Sequence, residues 1–377
     1  MTVKGAVFGV ASCSVLALIL SQYGQSFATL CVSISFALLT LSLLLNGRTS
    51  IICTVLAATC FGLFLAEATL FLMPTPEQAR TPRSHHDPNS DYVKQYFIKT
   101  DLGLQARKGV HSSKRISSDG TVIYDVVYSI GQDGFRITPN ENIDNAFRIN
   151  LFGCSVAFGE GLNDNETIAF YLTQEMPNVS VKNFGLHGYG VHQALAILQS
   201  NRDTKGQINL LVTAPWHAPR SSCMPSYTVG SPKFIADRSG MVQRYGECGI
   251  RNYPDTVLLD SRLYTLIQKT IADANQDEQI NLYLTLIEEM ARISKERGQT
   301  LIIGFIRADS DWFVGKYSNG AVLSRLKNIA NEVVDLTLAD SGEHISPKHY
   351  LHETDKHPTA LANRERANLL ISVLRSI

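Results

Sequence analysis

Three long apolar runs fill the beginning of the chain, and a different pattern follows them. The runs extend from Gly5 to Gln22, from Phe27 to Leu45 and from Ile51 to Met73. A helix needs roughly 20 apolar residues to cross the hydrocarbon core of a bilayer, and each run has about that length. Short polar gaps separate the runs, as between antiparallel membrane helices. The pattern therefore predicts a three-helix transmembrane anchor over residues 1–73.

The flanking charges indicate how such an anchor would be oriented. The first run also has the length of a signal peptide, but it lacks a multiply charged start and a clear cleavage site. Lys4 and Arg48 would lie on one side of the membrane, which the positive-inside rule makes cytoplasmic, whereas Arg80 and Arg83 argue weakly for the opposite orientation. Glu67, within the third run, is interpreted as a carboxyl near the interface or paired between helices. We expect a multi-pass inner or plasma membrane protein whose carboxyl-terminal domain is periplasmic or extracellular.

A linker and a small β-structure come next. Residues 74–90 carry four prolines and no apolar period, which is typical of a linker. Within residues 91–147, Thr121 to Ile130 alternates as a strand, Gly131 to Gly134 is a turn signal, and Phe135 to Ile137 is a second short strand. This segment predicts an appendage that contains a β-hairpin, laid on the edge of the main domain.

From residue 148 to residue 377, apolar strand patterns alternate with helix patterns. This alternation predicts an α/β domain with a mostly parallel sheet covered on both faces. Five strands fit a flavodoxin-like order with a switch point beside the first strand. The predicted strands are Ile149–Phe152, Val179–Phe184, Ile208–Ala214, Leu301–Ile306 and Val333–Leu336. The predicted helices are Ile168–Met176, Gln193–Asn201, Ser261–Ala274, Glu278–Arg297, Ala321–Asn331 and Ala360–Leu374. Residues 219–260 interrupt this rhythm and indicate an inserted loop near the carboxyl ends of the strands, where insertions shape substrate pockets.

Charge and cysteine content narrow the class of protein. The chain has 34 basic and 34 acidic residues, and this balance argues against a nucleic-acid partner, which normally requires a basic excess. Four of the seven cysteines lie in the apolar runs and are interpreted as small packing residues. Cys223 and Cys248 flank the insertion, and either a disulfide or two free thiols fits the sequence. No cysteine spacing is typical of zinc.

A serine follows the first strand of the α/β domain, where open α/β sheets place their active sites. The turn reads Gly153-Cys154-Ser155 and comes shortly before the helix that begins near Ile168. Small residues let the backbone turn sharply and let a substrate carbonyl approach. Nearby backbone N–H groups can face a developing oxyanion. Ser155 is therefore a candidate nucleophile, which requires a base and a group that orients the base.

His357 is the candidate base. Pro358 suits the first position of the last helix, so the sequence places His357 at a helix amino terminus. The positive end of the helix dipole would disfavour the imidazolium there and favour a neutral base. Asp355, two residues away, can accept the Nδ1 proton. The alternative is a helix-capping loop in which Asp355 only supplies an amino-terminal charge.

The second strand ends in a glycine-rich segment from Asn183 to Gly190. Its three glycines indicate close backbone approach, but the segment lacks the G-x-G-x-x-G order of a dinucleotide site. An oxyanion donor that faces Ser155 from the neighbouring strand fits the segment better.

These segments resemble the sequence blocks of the SGNH/GDSL hydrolase family. Gly153–Gly159 is similar to block I, Asn183–Gly188 to block II and Asp355–Pro358 to block V. They occur in the family's order, over about residues 148–377.

The resemblance implies both a fold and a set of roles. The implied fold is a three-layer α/β/α sandwich. Ser155 would be the nucleophile, His357 the general base and Asp355 the group that orients the histidine. Gly188 and the Ser155 N–H would be the oxyanion donors. No metal or cofactor is implied.

The sequence departs from the family pattern at three places. Cys154 replaces the aspartate of G-D-S, and the acid and histidine are spaced D-x-H rather than D-x-x-H. No asparagine follows the third strand, where the family has G-x-N-D; the chain reads Val212 to Arg220 there. We hypothesise that His217 replaces the asparagine, because an imidazole N–H can donate in the same way. Arg220 would bind an anionic or carbonyl group of the substrate. The alternative for His217 is an ordinary loop histidine.

The sequence as a whole predicts a membrane-anchored serine ester hydrolase, an acyl or acetyl esterase with a Ser-His-Asp triad. Its expected partners are the lipid bilayer and an acylated glycan, lipid or small ester substrate. Two alternatives remain: an acyltransferase that acts on envelope polysaccharide, and a degenerate, non-catalytic SGNH domain that binds its ligand only. The sequence leaves the acyl group, the alcohol and the oligomeric state open.

Overall fold

The computed structural model describes residues 26–72, 84–139, 147–200, 202, 204–224, 226–237, 240–249, 261–264, 266–267, 276–307, 318–339 and 346–376. They fall into two compact units. The first unit contains residues 26–72 together with the described residues from 261 to 267, and the second contains the others.

The named elements are numbered in chain order. The helices are α1 Ser26–Leu44, α2 Arg48–Leu72, α3 Asp91–Lys94, α4 Ser155–Phe158, α5 Ile168–Glu175, α6 Val191–Gln199, α7 His217–Ser221, α8 Gln276–Glu296, α9 Asn319–Ile329 and α10 Ala360–Leu374. The strands are β1 Ser84–His86, β2 Phe97–Thr100, β3 Gly103–Ala106, β4 Gly109–Ser117, β5 Val122–Ile130, β6 Phe147–Phe152, β7 Val179–Asn183, β8 Ile208–Thr213, β9 Pro232–Ala236, β10 Val242–Glu247, β11 Thr300–Phe305, β12 Glu332–Asp335, β13 Tyr350–His352 and β14 Asp355–Pro358.

Two apolar helices form most of the first unit. Within the described residues, α1 and α2 are the helices long and apolar enough to cross a membrane by length and composition. They pack together, and the hydroxyl of Ser35 donates to the Ala57 carbonyl at 2.8 Å. Many of their large apolar side chains, such as Leu44 and Ile51, are exposed. The predicted first span, residues 5–22, lies outside the described residues.

Glu67 lies on α2 and is fully buried. Its carboxylate accepts the Arg262 N–H at 2.6 Å, the Leu263 N–H at 2.9 Å and the Ser261 hydroxyl at 2.8 Å. These donors begin a helical turn at residues 262–264, so a fixed carboxylate satisfies backbone groups that have no partner at a helix start. The sequence assigned residues 261–274 to a helix of the α/β domain. Their described part belongs instead to the unit that contains Glu67.

A five-stranded parallel sheet organises the second unit. The strand order is β12-β11-β8-β6-β7, and every neighbouring pair is parallel. Counted within the domain, this is the flavodoxin-like order 2-1-3-4-5 predicted from the sequence. All five predicted strands are present, and β6, which leads to Ser155, lies between β7 and β8.

Helices cover both faces of this sheet. Because successive strand residues point to opposite faces, Leu210 packs in one apolar cluster and Leu211 in the other. Helices α6, α8 and α9 contribute to the cluster of Leu211, and α5 and α10 to the cluster of Leu210. The α/β architecture with a mostly parallel sheet and helical outer layers is thus confirmed.

The predicted β-hairpin is reduced to a single bridge between Ile130 and Arg136, and the main partner of β5 is a strand that the sequence did not predict. β5 pairs antiparallel with β4, and β1 extends this pair on the other side of β4. The segment expected to pair, residues 135–137, makes only single bridges, from Arg136 to Ile130 and to Asn183. The reason is that β4 buries polar side chains, including His111, Ser113 and Ser117, so it shows no apolar alternation.

The described part of the insertion after β8 belongs to the second unit. β9 and β10 form an antiparallel pair. A disulfide joins Cys223 and Cys248, which resolves the choice that the sequence left open. Residues 250–260 of the predicted insertion lie outside the described part of the chain.

Candidate active site

A tight turn between β6 and α4 places Ser155 at the carboxyl edge of the sheet. A Cβ on Gly153 would lie 2.7 Å from the Ala157 Cβ and 2.8 Å from the Val212 carbonyl oxygen, so the turn requires glycine. Gly159 ends α4 with a φ of 86°, a left-handed conformation that favours glycine. The turn leaves the Ser155 side chain 7% exposed.

The three residues predicted to act together are neighbours. Ser155 Oγ lies 2.9 Å from His357 Nε2, and His357 Nδ1 lies 2.6 Å from Asp355 Oδ1. The same carboxylate oxygen accepts the His357 backbone N–H at 3.1 Å. Arg115 Nε lies 3.3 Å from the other oxygen of Asp355. This chain of hydroxyl, imidazole and carboxylate is the geometry of an activated serine nucleophile.

The local setting of His357 differs from the prediction. Asp355 to Pro358 forms β14, which pairs with β13. Helix α10 begins only at Ala360, because the Thr359 hydroxyl accepts the Ala362 N–H at 3.3 Å and caps the helix. His357 is therefore in extended backbone ahead of the helix, and the prediction that it lies at the helix amino terminus was wrong.

Glu160 is a site residue that the sequence reasoning missed. Its Oε2 lies 3.2 Å from His357 Nε2 and 2.7 Å from His187 Nδ1. The residue is 5% exposed. The same imidazole nitrogen thus faces both the Ser155 hydroxyl and a second carboxylate. A signal was present in the sequence, since Glu160 is the only charged residue between Leu151 and Asn163.

A buried arginine fixes the loop that carries Glu160. Arg136 is 1% exposed and donates to the carbonyls of Phe158, Gly159 and Leu162 at 3.0, 2.8 and 2.6 Å. Its Nε also pairs with Asp164 at 2.9 Å. Because one rigid guanidinium binds three carbonyls of the loop, it holds the loop in one conformation. The position of the Glu160 carboxylate is fixed with it.

The two carboxylates determine the protonation of His357. Burial alone would lower the pKa of His357, but Glu160 and Asp355 together raise this pKa to about 10. Burial would raise the pKa of Glu160, yet His357 and His187 hold it well below its ordinary value. The carboxylates therefore favour the imidazolium form of His357, and the two histidines favour the ionised form of Glu160. This outcome is opposite to the neutral base expected from a helix dipole.

The predicted oxyanion donors are the backbone N–H groups of Ser155 and Gly188. Within the described part of the chain, no acceptor is bonded to the N–H of Ser155 or of Gly188. Gly188 has a φ of +73°, and a Cβ built on it would lie 3.1 Å from the ring of Tyr227. Tyr227 lines the cleft over Ser155, whereas Gly188 is not among the described residues that line it. The oxyanion role of both groups stays a prediction.

His217 is not placed for the role predicted from the sequence. It is fully buried, and its Nδ1 lies 3.0 Å from Thr213 Oγ1. It is not among the described residues that line the cleft. It lies instead beside Cys154. Burial would raise the pKa of Cys154, but His217 and Arg220 hold that pKa well below its ordinary value.

Arg220 does lie at the cleft, as a substrate-binding residue would. Its Nε donates to Tyr227 Oη at 2.9 Å and its Nη1 to the Tyr189 carbonyl at 3.0 Å. The cleft has a volume of about 470 Å³. Ser155, Asp355 and His357 all line it, so a small ester has access to the nucleophile.

Comparison with known proteins gives structural similarity alone. No family model matches the chain, and no curated protein is similar to it in sequence. A member of the lipolytic protein G-D-S-L family from Veillonella parvula is 16% identical and matches 62% of this chain and 100% of its own, with a TM-score of 0.37. A GDSL-like lipase from Bacteroides thetaiotaomicron is 9% identical over 63% of this chain and 91% of its own, with a TM-score of 0.34. The psychrotrophic esterase EstA from Pseudoalteromonas sp. is 10% identical over 61% and 97%, with a TM-score of 0.35. Because each is under 20% identical, the reaction of this chain has to be inferred from its own site.

Proposed function

We propose that this chain is an SGNH-type serine ester hydrolase, with Ser155 as nucleophile, His357 as general base and Asp355 as the orienting carboxylate. One observation carries the proposal: the line of contacts from Ser155 Oγ through His357 to Asp355, at 2.9 and 2.6 Å, opens into a cleft. Hydroxyl, imidazole and buried carboxylate in this order are the parts that acyl transfer to serine requires.

The first half of the reaction forms an acyl-enzyme. A neutral His357 accepts the Ser155 proton at Nε2 while Oγ attacks the ester carbonyl and forms a carbon–oxygen bond. The carbonyl oxygen becomes an oxyanion, which the N–H groups of Ser155 and Gly188 would stabilise. Collapse of the tetrahedral intermediate breaks the ester bond, and His357 gives its proton to the leaving alcohol.

The second half releases the acid. Water replaces the alcohol, His357 takes one of its protons, and the hydroxide attacks the acyl-serine. Collapse regenerates the Ser155 hydroxyl with the proton from His357. Asp355 accepts a hydrogen bond from the Nδ1–H of His357 throughout. Together with Glu160 it stabilises the imidazolium that forms in each half.

Covalent labelling combined with product analysis tests this function. The full chain in detergent should react with a fluorophosphonate at one site and should hydrolyse phenyl acetate to phenol and acetate. The Ser155→Ala variant should lose both reactions. Release of phenol without acetate, when a glycan acceptor is present, would indicate an acyltransferase. Absence of labelling in a folded protein would refute the catalytic proposal and favour a binding domain.

We also propose that α1 and α2 anchor the protein in a membrane, with the catalytic unit outside the cytoplasm. The exposed apolar surfaces of both helices support the anchor, and the Cys223–Cys248 disulfide supports an oxidising compartment. In sealed cells, a protease added from outside should cleave an epitope tag at the carboxyl terminus. Protection of the tag until the membrane is permeabilised would contradict this orientation.

A further inference from the structure

The cleft over Ser155 is strongly cationic. Among the described residues that line it, five are arginines or lysines, and Asp355 is the single carboxylate. The five cations are Arg115, Arg220, Arg307, Lys356 and Arg366. Asp355 is already occupied by His357 and Arg115. The lining therefore carries a large positive excess at the place where a substrate would bind.

Some of these cations have structural partners that account for them. Arg115 pairs with Asp355, and Arg307 Nη2 pairs with Asp335 Oδ2 at 2.5 Å. The Lys356 ammonium lies 4.6 Å from the centre of the Tyr350 ring. Arg220 bonds to a hydroxyl and a carbonyl and faces the thiol of Cys154.

Arg366 differs, because no carboxylate among the described residues pairs with it. The residue is 3% exposed, and its Nε donates to the Leu336 carbonyl at 3.0 Å. Its Nη1 is buried and is bonded to no acceptor in the described part of the chain. A buried guanidinium normally has its N–H groups satisfied, because an unpaired buried donor costs free energy. A buried cation that lines a cleft and has no carboxylate partner among the described residues is a candidate site for an anion.

We propose that the cleft binds esters that carry a negative charge beside the ester group, with Arg366 as the anion subsite. The inference rests on the proposed function and names its substrate class. A carboxylate or a phosphate supplies the required chemistry, because both offer oxygens that match the planar donors of arginine. A uronic acid of a glycan and the phosphate of a lipid headgroup are two sources of that chemistry.

Two acetate esters that differ in charge test the subsite. Phenyl acetate is neutral, whereas 4-acetoxybenzoate carries a carboxylate on the leaving group. The two esters differ in chemical reactivity, but this difference is the same for wild type and variant. It therefore cancels when the ratio of the two kcat/KM values is compared between the proteins. The Arg366→Gln variant should lower the ratio of anionic to neutral ester roughly tenfold, mainly through KM, because a charge-assisted hydrogen bond is lost. The Arg364→Gln variant removes an exposed arginine from the same helix and should keep the ratio.

A binding measurement separates failure of the subsite from failure of the function. Calorimetry with inorganic phosphate on the Ser155→Ala chain should show binding that is lost on adding Arg366→Gln and retained with Arg366→Lys. Matching circular dichroism spectra establish that the variants fold. If phosphate binding and the ester ratio are the same with and without Arg366, the subsite is refuted. If neither ester is hydrolysed but phosphate binding depends on Arg366, the esterase proposal fails and the subsite stands.

Discussion

Two adjacent residues, Cys154 and Ser155, face opposite surroundings, and each has a histidine beside it. Ser155 contacts His357, which lies between the carboxylates of Asp355 and Glu160. Cys154 lies beside His217, whose other charged neighbour is Arg220. Carboxylates raise the pKa of His357 to about 10, whereas burial lowers the pKa of His217 and Arg220 adds to that effect.

The comparison shows that the neighbouring charges, and not the type of residue, decide what each histidine can do. A histidine between two carboxylates is stabilised as the imidazolium that serine catalysis produces. His217 is fully buried, and burial together with Arg220 lowers its pKa, which favours the neutral imidazole. We therefore propose that the Ser155 side of the turn carries the reaction and that the Cys154 side packs behind it.

Removal of the reacting pair should have the largest effect. Ser155→Ala and His357→Gln should each slow the turnover of phenyl acetate on the order of 10⁴-fold or more, and the double variant should lose little beyond either single one. This non-additivity follows because the two residues act as a unit. Additive losses, measured by steady-state kinetics on the full chain in detergent, would show that they act separately.

The carboxylate of Glu160 should set the pH dependence. Only neutral His357 can accept the Ser155 proton, so kcat/KM should rise with pH toward the raised pKa. Removing a carboxylate 3.2 Å from Nε2 in Glu160→Gln should move this rise to lower pH by about one to three units. The exposed Glu288→Gln variant on α8 is the matched control. An unchanged pH–rate profile in Glu160→Gln would mean that the carboxylate does not act on the base.

The same charge pair should make stability depend on pH. The folded pKa of His357, about 10, is raised above the unfolded value of about 6.5. Its contribution to stability is therefore complete below pH 6.5 and is lost as the pH rises through 10. Between pH 7 and pH 9.5 we expect the Tm of the full chain in detergent to fall by a few degrees more in wild type than in Glu160→Gln. Equal slopes in both proteins would rule out the charge pair as the cause.

Most of the sheet could be predicted from the sequence, because parallel strands that are buried on both faces are continuous apolar runs. Leu210 and Leu211 face different layers, yet both are apolar. β4 was missed for the opposite reason, since it buries His111, Ser113 and Ser117. A strand that buries polar side chains has no period that local reasoning can detect.

The site was predictable where its residues lie in short segments and not where they meet through space. Ser155 follows a strand, and Asp355 is two residues from His357, so their association followed from position. Glu160 contacts His357 across 197 residues of sequence, and Arg366 reaches the cleft from the middle of a helix. Charges of that kind are assigned by the fold alone, which is why the sequence did not reveal the carboxylate that raises the pKa of His357.

The smallest effect on turnover should come from the Cys154 side of the turn. His217→Ala removes a buried ring bonded to Thr213 and should lower the free energy of unfolding by about 1–3 kcal/mol. His217→Gln keeps a polar group of similar reach and should lose less. Because the ring has no exposed surface, both variants should hydrolyse phenyl acetate within about threefold of the wild-type rate. If His217→Ala instead slowed turnover roughly a hundredfold or more, with rescue by Gln and unchanged stability, the loss would be that of an oxyanion donor. That result would return His217 to the reaction and remove the distinction between the two sides of the turn.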